Sequence, residues 1–560
     1  MFSPITERSL KIRLLFITIY VLLIAGGLTM VLPFMIMISG STEPRSRVND
    51  TIFPTYLFSE RQLWSRYLES KYQARTDLLR MAWGQNVTFD TAIVEKPLPQ
   101  ADIELWNEFL RETNPPPALY KLGFLRGSRM ASYTGRAFRQ WLLNLYGNDL
   151  ARLNEALGIT YGKITAIKPP AIDIVGPTVA ASPLVEKFYE FLALQPQSLR
   201  IVWDVGGYYR AVFLPRLYGS DIAAYNQKYG THYVSYTEVP FPATVPANGG
   251  EDWFLFVSKV LRPDFVALTD SGFAAMSQAG VSRDEFIRTL AQPEHLRVVS
   301  LDVMFADWAV SRNHQEARIP TSFLDRLDFE RKKTAWRGRF LILNYQLVLD
   351  EILIHGRAIW NTFILVILTV AGTLLVNPLA AYALSRFKLK QTYFLLVFFL
   401  ATIAFPAEVT MIPVFLQLKE FHLLNTFGAL VLPGLANGFS IFLLKGFFDS
   451  LPKELYEAAE LDGASEWTMF WQVSMTLSKP ILAVIALGAF GTAYGAFFYA
   501  LILAPDPKMW TIMVYIYQLR MMVDPPVVYA SLIITAIPTL AVFIFCQNLI
   551  LRGIVVPSEK

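Results

Sequence analysis

Cysteine is nearly absent from this chain. Of 560 residues only Cys546 is one, and it lies inside an apolar run. No intrachain disulfide can brace the fold, so the polar region must be held by its own core. Excess charge is missing too: a formal net charge of +4 gives no case for nucleic-acid binding. No Gly-x-x-x-x-Gly-Lys-Ser/Thr run occurs, so the chain has no phosphate-cradling loop of its own. Paired carboxylates are also lacking. Glu108, Glu190, Glu238 and Asp252 are acids a glycoside hydrolase could use, but that chemistry needs two of them about 5 to 10 Å apart across a cleft. Nothing in the spacing joins them. Neither catalytic residues nor a metal-ligating cluster are expected.

What is present divides in two. Hydrophobic residues make up 53% and the mean hydropathy is +0.36, too apolar for an ordinary soluble protein, while 17% charged residues is too many for a pure membrane bundle. A spanning helix needs roughly 20 mainly apolar residues. Six stretches qualify: 14–38, 362–384, 392–418, 423–444, 480–503 and 527–551. The first is longer than a signal-peptide core and lacks a convincing cleavage site, so it is expected to stay as an anchor. Arg8, Lys11, Arg13, Arg386, Lys388, Lys390, Lys445, Lys453, Lys479, Arg552 and Lys560 fall on one face of a six-span chain. By the positive-inside rule that face is cytoplasmic. Both termini are then inside, and residues 41–343 are extracytoplasmic.

Between the fourth and fifth runs lies a polar stretch, 446–479, that must sit in water. Pro452 can open a helix, Asp462-Gly463 is a turn or C-cap signal, and 464–477 can form a second helix before Pro480. The result is a two-helix knob centred on Glu457-Ala458-Ala459-Glu460-Leu461-Asp462-Gly463. This segment resembles the Glu-Ala-Ala loop of binding-protein-dependent ABC importer permeases. Val473-Ser474-Met475-Thr476 stands where relatives carry Ile-x-Leu-Pro. Further matches follow in family order. They are Asn344-Tyr345, Asn361-Thr362, Ala380-Ala381-Tyr382-Ala383 to Arg386, Pro406 with Glu408 and Pro413, Leu424-Asn425-Thr426, and Pro452-Lys453-Glu454-Leu455. Leu32-Pro33-Phe34 through Ser41 resembles the end of the first helix in maltose-type sugar permeases.

The resemblance implies a mainly α, six-span permease subunit of an ATP-driven importer, carrying a carbohydrate and using no cofactor of its own. A separate cytoplasmic ATP-binding subunit dimer would bind ATP. A second permease subunit and an extracytoplasmic solute-binding protein would complete the assembly in the bacterial inner membrane. Glu457 would make polar contacts to the ATPase, Ala458 and Ala459 would allow close packing, Gly463 would permit the bend, and Asp462 belongs to the same coupling loop. Tyr494-Gly495-Ala496-Phe497 replaces the Trp-Asn-Asp-Phe of relatives in a stretch that commonly lines their pathway. Tyr494 and Phe497 are therefore pathway candidates. So is Glu408, because a carboxylate within an apolar span is costly unless it faces protein or water.

Residues 41–343 stand where relatives have a modest loop. They contain three related units, 67–99, 141–170 and 213–242. Tyr146/Tyr218, Gly147/Gly219, Asp149/Asp221, Asn154/Asn226 and Gly158/Gly230 pair at a spacing of 72, and the first unit runs in step through Tyr72 and Gly84. Each unit reads as helix, glycine turn, helix and Pro-containing exit, so this region is expected to be mostly helical. Leu-Tyr-Gly-x-Asp faintly resembles a helical stretch of β-galactosidase-like glycoside hydrolases. A membrane-anchored glycan-binding or glycan-processing protein is therefore the alternative. Eight tryptophans between Trp64 and Trp336 could stack on sugars, but aromatics at helical spacing favour a core role.

Overall fold

The computed structural model describes residues 10–43, 53–94, 99–125, 133–162, 164–314, 317–349, 356–387, 390–403, 406–521 and 523–553. Arg8, Pro97, Lys388 and Lys560, and the side chains of Lys11, Arg13, Glu408 and Arg552, lie outside the described residues. The chain divides into two compact units, Met1–Asn344 and Tyr345–Lys560.

The first unit opens with the helix Leu10–Ser41, whose side chains are exposed from Leu14 to Phe34 and buried from Ser39 to Glu43. Asn344 closes that end. Its Nδ2 donates to the carbonyls of Ser41 and Glu43, each at 2.7 Å, satisfying acceptors that a helix C-terminus leaves open. The rest is a helical body with four short strands: β1 (Tyr120–Leu122), β2 (Arg200–Val202), β3 (Val266–Leu268) and β4 (Leu296–Val298). β1 pairs antiparallel with β2, and β3 with β4. A one-turn 3-10 helix precedes each strand, led by Pro116-Pro117, Pro196, Pro263 or Pro293. Proline presets the turn, which then releases three extended residues. Strands this short escape periodicity arguments, and the reading of helical units did not contain them.

Asn154 and Asn226 make one and the same clasp. Each donates to the carbonyl seven residues on, at 2.9 and 2.8 Å, and accepts that residue's N–H at 3.2 Å. Gly84, Gly158 and Gly230 all end helices at φ between 62° and 65°, a region glycine enters freely. Aromatic residues fill the interior. Trp106, Trp203 and Trp253 are wholly buried, and Trp106 meets Phe305 edge-on at 5.0 Å. Charge is buried as well. Asp325 accepts from Lys71 Nζ (2.6 Å), Tyr72 (2.6 Å) and Trp83 Nε1 (2.9 Å), so one helix, Thr321–Leu349, is tied to residues 71–83 by a saturated carboxylate.

In the second unit, Ala358–Arg386 and Pro525–Gly553 are long apolar helices; with Leu10–Ser41 of the first unit, three described helices are long and apolar enough to span unbroken. The other expected spans are interrupted. The third falls on Thr392–Ile403 and Ala407–Glu420. The fourth falls on Phe427–Gly434 and Gly438–Asp449, bent by 49°. The fifth falls on Lys479–Tyr494 and Phe498–Leu503, and its start turns 82° from Glu466–Leu477. An unbroken apolar run does not announce such bends, because they are stabilised by residues distant in sequence.

Candidate functional site

Broken backbone in an apolar setting must find hydrogen-bond partners within the protein, and the motif residues of this unit supply them. Asn377, fully buried on the long helix, donates to the Leu435 carbonyl (3.0 Å) and accepts the Asn437 N–H (2.8 Å). Asn437 in turn caps the next helix by accepting the Ser440 N–H at 2.8 Å. Asn361 donates to the carbonyls of Lys508 and Trp510, and Thr362 Oγ1 accepts the Ile512 N–H. Asn425 accepts from the Asp506 N–H, and Thr426 caps the helix that starts at Phe427. At Gly438 a methyl group would stand 2.4 Å from the Phe399 carbonyl oxygen, so only glycine fits this helix crossing.

The polar knob forms two arms. Lys453–Leu461 is the first, ending at Asp462, with Gly463 at φ 78° making the reversal. The second runs from Glu466 to Leu477, capped by Ser465, and passes through a π-helical stretch, Met469–Ser474. It begins two residues later than Ala464, because the Ser465 hydroxyl accepts the Thr468 N–H and so marks the N-cap. Tyr456 ties the arms by its hydrogen bond to Ser474 at 2.8 Å. The knob is held to the long helix from below. Tyr382 donates to Glu466 at 2.5 Å, Arg386 pairs with Glu460, and the Arg386 guanidinium lies 4.5 Å from the Tyr456 ring centre. Glu457, Ala458, Asp462 and Gly463 are exposed, while Ala459 is half-buried against the hydrophobic cluster beneath. Leu455, Leu461 and Trp467 are exposed beside them, Leu461 at 89%. Large apolar side chains left bare around a rigid polar knob mark a surface that expects a partner. The framing role of Tyr382, Arg386 and Glu466 was not read from the sequence, although the Ala-Ala-Tyr to Arg signature contains two of them.

Of the pathway candidates, Tyr494 and Phe497 have described side chains. Phe497 lines a cavity of about 330 Å³ with Leu365, Thr369, Pro433 and Thr492. Tyr494 is instead used structurally: it donates to the Thr535 carbonyl at 2.6 Å and stacks on Phe490. Position 408 lies in the first turn of Ala407–Glu420, after the break at Pro406 rather than within a continuous span. In the first unit, Asp252 is buried and bonded to Tyr218 (2.6 Å), Glu190 pairs with Lys187, and Glu108 is exposed. Glu238 lines a cavity of the first unit.

Apolar helices interrupted in mid-course, their ends held by buried polar side chains, are the build of a membrane transport protein rather than of an anchor. Comparison with known proteins makes the class specific. The family model described as "Binding-protein-dependent transport system inner membrane component" matches residues 377–555. Protein LplC of Bacillus subtilis is 32% identical over 214 residues, 35% of this chain and 72% of that protein. The sn-glycerol-3-phosphate transport system permease protein UgpE of Yersinia enterocolitica is 32% identical, covering 37% and 74%. The diacetylchitobiose uptake system permease protein NgcG of Streptomyces coelicolor is 29% identical, covering 41% and 73%. A solved bacterial ABC transporter involved in alginate import is 25% identical over 37% of this chain and 78% of that one, with a TM-score of 0.32. The chain belongs to the family of binding-protein-dependent transport inner membrane components. It is a multi-pass inner-membrane permease, a transport part rather than a catalyst, in a family that works with ATP-binding and substrate-binding partners.

Proposed function

We propose that this permease carries a carbohydrate and that the knob at 453–477 is where a cytoplasmic ATPase dimer drives it. The observation that carries the reading is the knob itself: Glu457, Ala458, Leu461 and Asp462 are bare, yet their base is locked to the Ala358–Arg386 helix through Tyr382 and Arg386. A push on such a body moves a membrane helix instead of being absorbed by a loop. A second permease subunit and an extracytoplasmic binding protein complete the machine. Both termini are cytoplasmic and residues 41–343 lie outside, as the basic residues at Arg386, Lys445 and Lys453 argue. Phe497 and its cavity belong to the pathway, and position 408 is a further candidate for it. The carbohydrate assignment is supported by the family resemblance and by the diacetylchitobiose uptake named for one relative.

Affinity purification of the tagged chain from membranes tests the assembly: an ATPase and a second permease should co-purify. Gly463→Asp puts a side chain and a charge at a positive-φ surface bend. It should abolish uptake and ATPase recovery while the chain still reaches the membrane. Normal uptake by that variant would remove the knob from the coupling path.

A further inference from the structure

The first unit holds a cavity of about 600 Å³ that the transport reading does not use. Its size falls within the roughly 300–1,000 Å³ of small-molecule sites, and its wall is built from residues far apart in sequence. Asp204 follows β2 and caps the next helix, accepting the Gly207 N–H. Asp302, just after β4, reaches across to accept the N–H groups of Val205 (3.1 Å) and Gly206 (2.9 Å). The two strands thus deliver two carboxyls to one helix start. Glycine at 206 makes room: a methyl there would lie 2.9 Å from Asp302 Oδ2, 3.1 Å from Arg210 Nη2 and 3.1 Å from Phe241 Cδ1. An acid, a guanidinium and an aromatic ring therefore converge on one point. The Arg210 Nε is buried with no hydrogen-bond partner among the described residues. Glu238, Asp307 and Arg318 complete the charged lining.

The mixed lining selects the occupant. An anion meets Asp204, Glu238, Asp302 and Asp307, and a polycation meets Arg210 and Arg318. A neutral polyhydroxyl donates to the carboxylates, accepts from the guanidinium groups, and can lay C–H faces on Phe241. We infer that the inserted region binds a short neutral oligosaccharide in this cavity, held by Asp302, Arg210 and Glu238 against Phe241. Its lining comes wholly from the first unit and shares no residue with the cavity at Phe497.

The test is calorimetric titration of the purified full chain with maltotriose, cellotriose and diacetylchitobiose, with spermidine and glycerol 3-phosphate as cationic and anionic probes. At least one saccharide should bind and be recovered intact. Arg210→Met and Glu238→Gln should each weaken it about ten- to a hundredfold, the loss expected for a hydrogen bond to a charged group. These two leave the capping carboxylates in place, so tryptophan fluorescence should show a folded unit; Asp302→Asn is the harsher third variant. No saccharide binding at about 10 mM, equal binding by both milder variants, or preference for spermidine or glycerol 3-phosphate would overturn the inference. So would cleavage of the bound saccharide, which would make the cavity an active site.

Discussion

The two units bury polar groups with a different emphasis. In Met1–Asn344 a buried charge is met by other side chains: Asp325 takes Lys71, Tyr72 and Trp83 inside an aromatic core. In Tyr345–Lys560 buried polar side chains mostly serve backbone. Asn361, Thr362 and Asn377 each hold an interrupted chain end. The difference follows from the solvent. A water-facing domain can route loose backbone to water and has only its interior to organise. Helices in lipid have no such outlet, so every break needs a resident donor or acceptor.

The comparison can be broken at four points. Asp325→Ala strips the first unit of a charge that three groups share and leaves the Lys71 ammonium buried alone. A loss of about 3–5 kcal/mol is expected, read as a fall in the urea midpoint of tryptophan fluorescence. Asn377→Ala in the membrane unit leaves the Leu435 carbonyl and the Asn437 N–H unmet, costing about 1–3 kcal/mol. Uptake should fall while fluorescence from the first unit's tryptophans is unchanged. A variant with full uptake would mean water replaces the asparagine.

Asp204 gives the third. Burial, reinforced by the negative charge of Asp302, pushes its carboxyl up to about 7, against about 3.9 unfolded. Between those values the folded chain keeps a proton that the unfolded chain releases, so stability falls as pH rises through that window and levels off above it. Asp204→Asn should flatten the slope and raise stability at pH 8 by on the order of 2 kcal/mol, judged from denaturation at pH 5 and pH 8. The smallest effect belongs to the two asparagine clasps. Asn154→Ala and Asn226→Ala should each cost about 1 kcal/mol. The double variant should lose their sum if the units are independent; a larger loss would show that they fold as one.

Part of this architecture was legible because it is local. Apolar runs announced membrane helices, and the Asp462-Gly463 turn announced the knob. The spacing of 72 announced matched asparagines and glycines, which adopt matching geometry at Asn154/Asn226 and Gly158/Gly230. Other features were hidden because their partners are distant. The break before Gly438 depends on Asn377, some 60 positions earlier. The strands depend on pairing across some 80 residues between β1 and β2. The bond from the Tyr494 hydroxyl to the Thr535 carbonyl likewise joins residues 41 positions apart.

By itself, then, the sequence determined the class. Hydrophobic length, basic asymmetry and the Glu457–Gly463 stretch depend on near neighbours and survive any arrangement of the rest. Only the tertiary structure decided where the spans bend, what holds the knob, and which acids meet. Asp204 and Asp302 are ordinary acids nearly a hundred residues apart until β2 and β4 bring both to Gly206, and such convergence has no periodicity to read.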